Sequence, residues 1–122
     1  MSLFARVFGR GRPAADEVTT SVAAAVEGVP RAVAHDVAYN HLQYASGALS
    51  GTVDVPEAAV FDEVLRAVHR ALVAQLGADA ERVVIYLSGR TPDGTTVAPV
   101  DLALPERPTG RDLARRYARP HP

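Results

Sequence analysis

Between Pro56 and Gly77 the apolar residues recur at three- and four-residue steps: Phe61, Val64, Leu65, Val68, Leu72 and Leu76. At 3.6 residues per turn these positions share one face of a helix. Asp62, Glu63, Arg66 and Arg70 fall on the opposite, wet face, with Asp62 and Arg66 at the i,i+4 spacing of an ion pair. Pro56 suits a first helical position, where its missing N–H would have had no partner. Glu57 favours the positive end of the helix dipole. Gly77 can take the left-handed conformation that ends a helix. The pattern predicts one amphipathic helix of about 30 Å. Its six large side chains, at about 1.5–3 kcal/mol each when fully buried, make it the expected centre of the core.

Flanking this stretch the apolar period shortens to two. Ala48 to Val55 alternates, with Leu49, Val53 and Val55 inward and Ser50, Thr52 and Asp54 outward. Glu81 to Ser88 contains the run Val83-Val84-Ile85-Tyr86-Leu87, apolar on both faces, as expected of a central strand. Arg31 to Tyr44 reads as a strand with Val33, Val37 and Tyr39 on one parity, and Ala45-Ser46-Gly47 as a hairpin turn. Thr91-Pro92-Asp93-Gly94 combines a preset φ, a side chain that bonds its own backbone and a residue free to take φ > 0, so it predicts a turn. It leads into a strand over Thr95 to Leu102, where Pro99 cannot donate to a ladder and so argues for a sheet edge.

Two further helices are predicted. Asp16 to Glu27 places Val18, Val22 and Val26 at four-residue steps and ends at Gly28, with Val29-Pro30 turning the chain into an extended run. Thr109-Gly110-Arg111-Asp112 is a shortened-acid version of a capping box, followed by Leu113 and Tyr117 at i,i+4.

The order is α-β-β-α-β-β-(α), which predicts an α+β two-layer sandwich, a four-stranded sheet with two main helices on one face. The expected divisions are a basic N-terminal segment over 1–13, a domain over 14–104 and a basic tail with a short helix over 105–122. With its helix–Gly28-Val29–strand entry, the order resembles the ferredoxin-like, split-βαβ family of shapes. The strand–helix–strand half, residues 48–88, also resembles the small alkaline-shock-type bacterial proteins. No diagnostic motif accompanies either resemblance, so neither implies a function.

Charge changes the picture at the ends. The net charge of −1 conceals a body, 16–103, with five arginines against twelve acids and a net of −7. Both ends are basic, and every basic residue is arginine. Arginine alone fits phosphate or carboxylate recognition, but the abundance of Ala, Arg, Gly and Pro favours the composition of a GC-rich genome as its cause. In the N-terminal segment Leu3, Phe4, Val7 and Phe8 share a helical face, with Arg6, Arg10 and Arg12 around them. Such a segment can dock on its own domain, on a partner, or on an anionic membrane surface. No run approaches the roughly 20 apolar residues of a membrane span, and no signal-peptide core is present, so a cytoplasmic location, with the membrane periphery as an extension, is expected.

Readable chemistry is sparse. With no cysteine, thiolate catalysis and disulfides are excluded. His35 and His41 share a parity six residues apart, too far to chelate one ion, and no HxH, HxxH or HExxH spacing occurs. Ser46, Ser50 and Ser88 lie in no G-x-S-x-G motif, and no Gly-rich phosphate loop follows a strand. No cofactor is expected. If the inward residues pack under the helices, the other sheet face presents Asp36, Asn40, Thr52, Asp54, Val84 and Tyr86. This mixed surface is the candidate contact site, either for a second subunit or for a roof formed by residues 110–118. A non-enzymatic protein–protein contact module, homodimeric, is the leading expectation. A small enzyme or ligand-binding domain using the same face is the alternative. Nucleic-acid contact through the arginine-rich termini ranks third, because the acidic body would repel the phosphate backbone.

Overall fold

A computed structural model describes residues 14–40 and 47–117 of the chain. Helix α1, Ala15–Glu27, is followed by strands β1, Val33–Asn40, and β2, Ala48–Asp54. The long helix α2, Ala58–Leu76, then leads through a 3₁₀ segment, Gly77–Arg82, into β3, Val84–Arg90. A two-residue strand β4, Thr96–Val97, a 3₁₀ turn, Pro99–Leu102, and helix α3, Gly110–Tyr117, complete the described chain. The sheet order is β1-β2-β3-β4, antiparallel at both outer pairs and parallel between β2 and β3. This is the α+β two-layer arrangement expected. Its parallel strands are immediate neighbours, however, so the β2–α2–β3 unit is unsplit, unlike the ferredoxin-like arrangement with a strand inserted between them.

The apolar stripe of α2 makes the join between layers. Phe61, Val64, Leu65, Val68 and Leu72 are fully buried, in one cluster with Leu49 and Val53 of β2 and Ile85 and Leu87 of β3. Val18, Val22 and Val26 of α1 join the same cluster. Leu76, at the end of the stripe, is only partly buried. Gly77 ends α2 with the positive φ of 60° that favours glycine, but its ψ of −132° lies outside the left-handed helical conformation expected. Pro56 falls before the helix, with Glu57 as its extended N-cap, so the first turn starts two residues later than the proline suggested.

β1 departs from simple alternation. Its register runs Ala34↔Val53 and His35↔Thr52, then resumes at Ala38↔Ser50. Asp36 and Val37 therefore oppose the single residue Gly51, which is a β-bulge. Asp36 takes φ 52°. The extra residue inverts the parity of everything before it: Val37 and Tyr39 are buried, whereas Val33 is 47% exposed. Gly51 has φ 146°, and a Cβ there would sit 2.7 Å from the Val37 Cα. Only glycine fits opposite this bulge.

Both sheet edges are partly occupied by other elements. On the β1 side, Glu27 Oε2 accepts from the Ala34 N–H at 3.2 Å and Thr19 Oγ1 accepts from the Tyr39 N–H at 2.9 Å, both from α1. On the other side β4 covers the end of β3. The segment before α3 covers its beginning, with Ile85 N–H donating to the Pro108 carbonyl at 2.8 Å and Gly110 N–H to the Val83 carbonyl at 2.9 Å. The strand expected over Thr95 to Leu102 shrinks to two residues because Pro99 starts a 3₁₀ turn, held by the Ala98 N–H donating to Asp101 Oδ2 at 2.8 Å. The Thr91–Gly94 turn forms as predicted, with Asp93 Oδ1 accepting from the Thr95 N–H and Gly94 at φ 88°.

Candidate functional site: the outer sheet face and the Asp62 clamp

The sheet face opposite the helices carries Asn40, Thr52, Asp54, Val84 and Tyr86 together, as the alternation predicted. Tyr86 is 39% exposed. Asp36 stands apart from them at the bulge, where its left-handed backbone takes it out of the ladder. A residue absent from the prediction, His35, joins the face: its Nε2 lies 2.8 Å from Asp54 Oδ2. Asp54 pairs in register with Arg90 of β3, and Val84 and Tyr86 stand toward the opposite end of that strand. The face thus has an ionic end and an apolar end. His35 and Asp54 are both half exposed, so their contact adds little to stability. The pair was hidden because it is diagonal, His35 opposing Thr52, and shows only once the register is known.

The expected roof is elsewhere. Helix α3 packs against α2, on the helix side of the molecule. Half of the capping box forms, with the Thr109 N–H donating to Asp112 Oδ2 at 2.9 Å, while the Thr109 hydroxyl donates to the same oxygen at 3.2 Å instead of accepting from the Asp112 N–H, and Leu113 is fully buried in the core. Gly110 makes the approach to the 3₁₀ segment feasible, since a Cβ there would collide with the Ala80 carbonyl.

At the far end of α3, Asp62 acts as the receptor of a three-bond clamp. Arg116 Nε donates to Oδ1 and Nη2 to Oδ2, both at 3.1 Å, in the fork geometry of a bidentate pair. Tyr117 OH donates to Oδ1 at 2.6 Å. The Arg66 and Arg116 guanidinium carbons lie 5.4 and 5.5 Å from the centre of the Tyr117 ring, within cation–π range. The i,i+4 partner expected for Asp62 was Arg66; its hydrogen bonds go instead to α3, more than fifty residues away in sequence. Nothing local in the sequence marks Asp62 apart from a solvated helix acid.

The clamp's electrostatics suit anchoring rather than proton transfer. Burial pushes the Asp62 carboxyl up, but the hydrogen bonds from Arg116 and Tyr117, aided by the nearby guanidinium charges, outweigh it and hold the group below its ordinary value. Burial and the Asp62 carboxylate push the Tyr117 phenol well up. His69, buried beside the stripe, has its pKa held down by burial and by the charge of Arg70, which favours the neutral imidazole.

The N-terminal segment with Leu3, Phe4, Arg6, Val7, Phe8, Arg10 and Arg12 lies outside the described residues, as do His41, Ser46 and His121. Among the described residues, no three His, Asp or Glu side chains converge in a way that could hold a metal ion. Compared with protein-family models, curated proteins and solved structures, the chain matches none of them.

The clamp gives a pH-dependent prediction. A carboxyl whose folded pKa is lowered stabilises the fold above its unfolded value, near 3.8, and loses that contribution as pH falls through the folded value. Asp62→Asn is expected to cost about 1–3 kcal/mol at pH 7. Its stability is expected to fall less steeply than wild type between neutral pH and strong acid. Thermal melts across a pH series check both; parallel curves would show that Asp62 is not the titrating anchor.

Proposed function

We propose that this chain is a non-enzymatic α+β module that works through protein–protein contact, as a homodimer joined by its outer sheet face. The observation that carries this reading is the contrast between edges occupied by other elements and a face that no helix among the described residues covers. α1 side chains occupy N–H groups along β1, while β4 and residues 108–110 line β3. Pairing by strand addition would have to displace them. The face, by contrast, is not roofed by α3, which sits on the helix side.

A second copy fits that face by charge. A two-fold axis places the same patch on both sides of the contact. With an acid and an arginine side by side in register, Asp54 and Arg90, the axis can bring each acid to the other copy's arginine, with Tyr86 and Val84 supplying apolar contact. The size of the face limits the strength. Strands of this length and spacing span about 20 by 15 Å, a projected area well below the roughly 800 Å² per partner of a standard stable interface. The dimer is therefore weak and concentration-dependent.

The N-terminal segment supports a second contact. Its apolar residues and three arginines suit an anionic membrane surface or a docking partner, at about 1 kcal/mol per arginine for a membrane. No helix among the described residues is long and apolar enough to cross a membrane; the association proposed is peripheral, and the location proposed is cytoplasmic.

Sedimentation equilibrium from micromolar to millimolar protein is expected to show a mass rising from 12.9 kDa toward twice that value, and Tyr86→Arg is expected to hold it at the lower figure. A wild-type mass of one chain throughout that range excludes the dimer. In co-sedimentation with vesicles rich in anionic lipid, wild type is expected to pellet and Phe4→Glu to stay in solution. Equal partitioning of the two removes the membrane role.

A further inference from the structure

On the helix side, beyond the Asp62 clamp, Arg66, His69, Arg70, Val73, Ala74 and Tyr117 line a cavity of about 320 Å³. We propose that it binds a small organic anion, a carboxylate carried on an apolar body. This inference is independent of the dimer, which uses the opposite face.

The charge around the cavity is one-sided. Arg66 and Arg70 stand one turn apart on α2, and no acidic side chain lines the cavity. Asp62 is committed to Arg116 through two hydrogen bonds and to the Tyr117 hydroxyl through a third. Glu63 stands on the other side of the arginine ridge, in the groove between α1 and α2. No ion pair joins it to Arg66 or Arg70. Arg66 lies over the Tyr117 ring and its charge also acts on Asp62, but among the described residues neither Arg66 nor Arg70 makes an ion pair, so both guanidinium groups border the cavity in the planar fork form that matches a carboxylate.

The rest of the wall sets the body of the ligand. Tyr117 spends its hydroxyl on Asp62 and leaves its ring beside the cavity. Val73, 44% exposed, and Ala74 provide aliphatic surface, and the buried imidazole of His69 lies with its centre 6.5 Å from that of the Tyr117 ring. A few polar groups converging on an apolar wall is the usual make-up of a small-ligand site, and the volume sits at the lower end of the range such sites occupy. A bare inorganic ion would leave the apolar wall unused.

The test is a titration of the full chain with benzoate, followed by amide and side-chain NMR shifts, with benzamide as the uncharged isostere and inorganic phosphate as the bare anion. Benzoate is expected to give saturable shifts centred on His69, Arg70, Val73, Ala74 and Tyr117, and benzamide none. Arg66→Gln with Arg70→Gln is expected to weaken benzoate binding by about tenfold or more. Because Arg66 also rests near Tyr117, the single variant Arg70→Gln, whose residue has no bond in the clamp, is measured beside it and is expected to weaken binding several-fold with an unchanged melting temperature. Benzoate shifts that never saturate, that centre elsewhere, or that survive both variants overturn the proposal. Phosphate binding as tightly as benzoate overturns its apolar half.

Discussion

The fold depends on the burial of one helical stripe. Phe61, Val64, Leu65, Val68 and Leu72 of α2 are removed from water against Leu49 and Val53 on one strand and Ile85 and Leu87 on its parallel neighbour. These two strands cannot be joined by a tight turn, because parallel neighbours need a crossover. The helix that makes the crossover is therefore the same element that fills the core. α1 adds a narrower valine stripe to that layer and lends two side chains to the β1 edge. α3 is attached to this layer by Leu113 and by the Asp62 clamp.

That hierarchy separates what holds the molecule together from what is left to act. The helices cover one sheet face, and α1, β4 and the segment before α3 blunt the edges. Among the described residues, no helix covers the outer face, ionic at one end and apolar at the other, or fills the grooves that flank the arginine ridge of α2. The two surfaces are on opposite sides of the sheet. A contact at one does not sterically oppose a contact at the other.

How much of this was legible in the sequence follows the range of the interaction. The α2 stripe repeats within a few residues, so periodicity alone located it, its wet face and its glycine stop. The alternation in β2 and the Thr91–Gly94 turn are equally local, and both formed as read. The β1 phase was misread because the bulge at Asp36 is a property of the pair: it needs Gly51 opposite, fifteen residues on, to admit the extra residue. β4 is shorter than its apolar pattern suggests because Pro99 is not only a missing donor but the first residue of a 3₁₀ turn. Of the outer-face residues, five of the six predicted came together, since parity carries that information. The clamp was invisible, because Asp62, Arg116 and Tyr117 have no spacing that relates them until α3 lies on α2.

The dependence on the α2 stripe is tested most directly by Leu65→Ala in equilibrium denaturation. Leu65 is fully enclosed at the middle of the stripe, and its truncation is expected to lower the unfolding free energy by about 2–5 kcal/mol with the denaturant slope unchanged. A loss within about 0.5 kcal/mol, the effect of an ordinary surface substitution, would contradict it and take the long helix out of the centre of the fold.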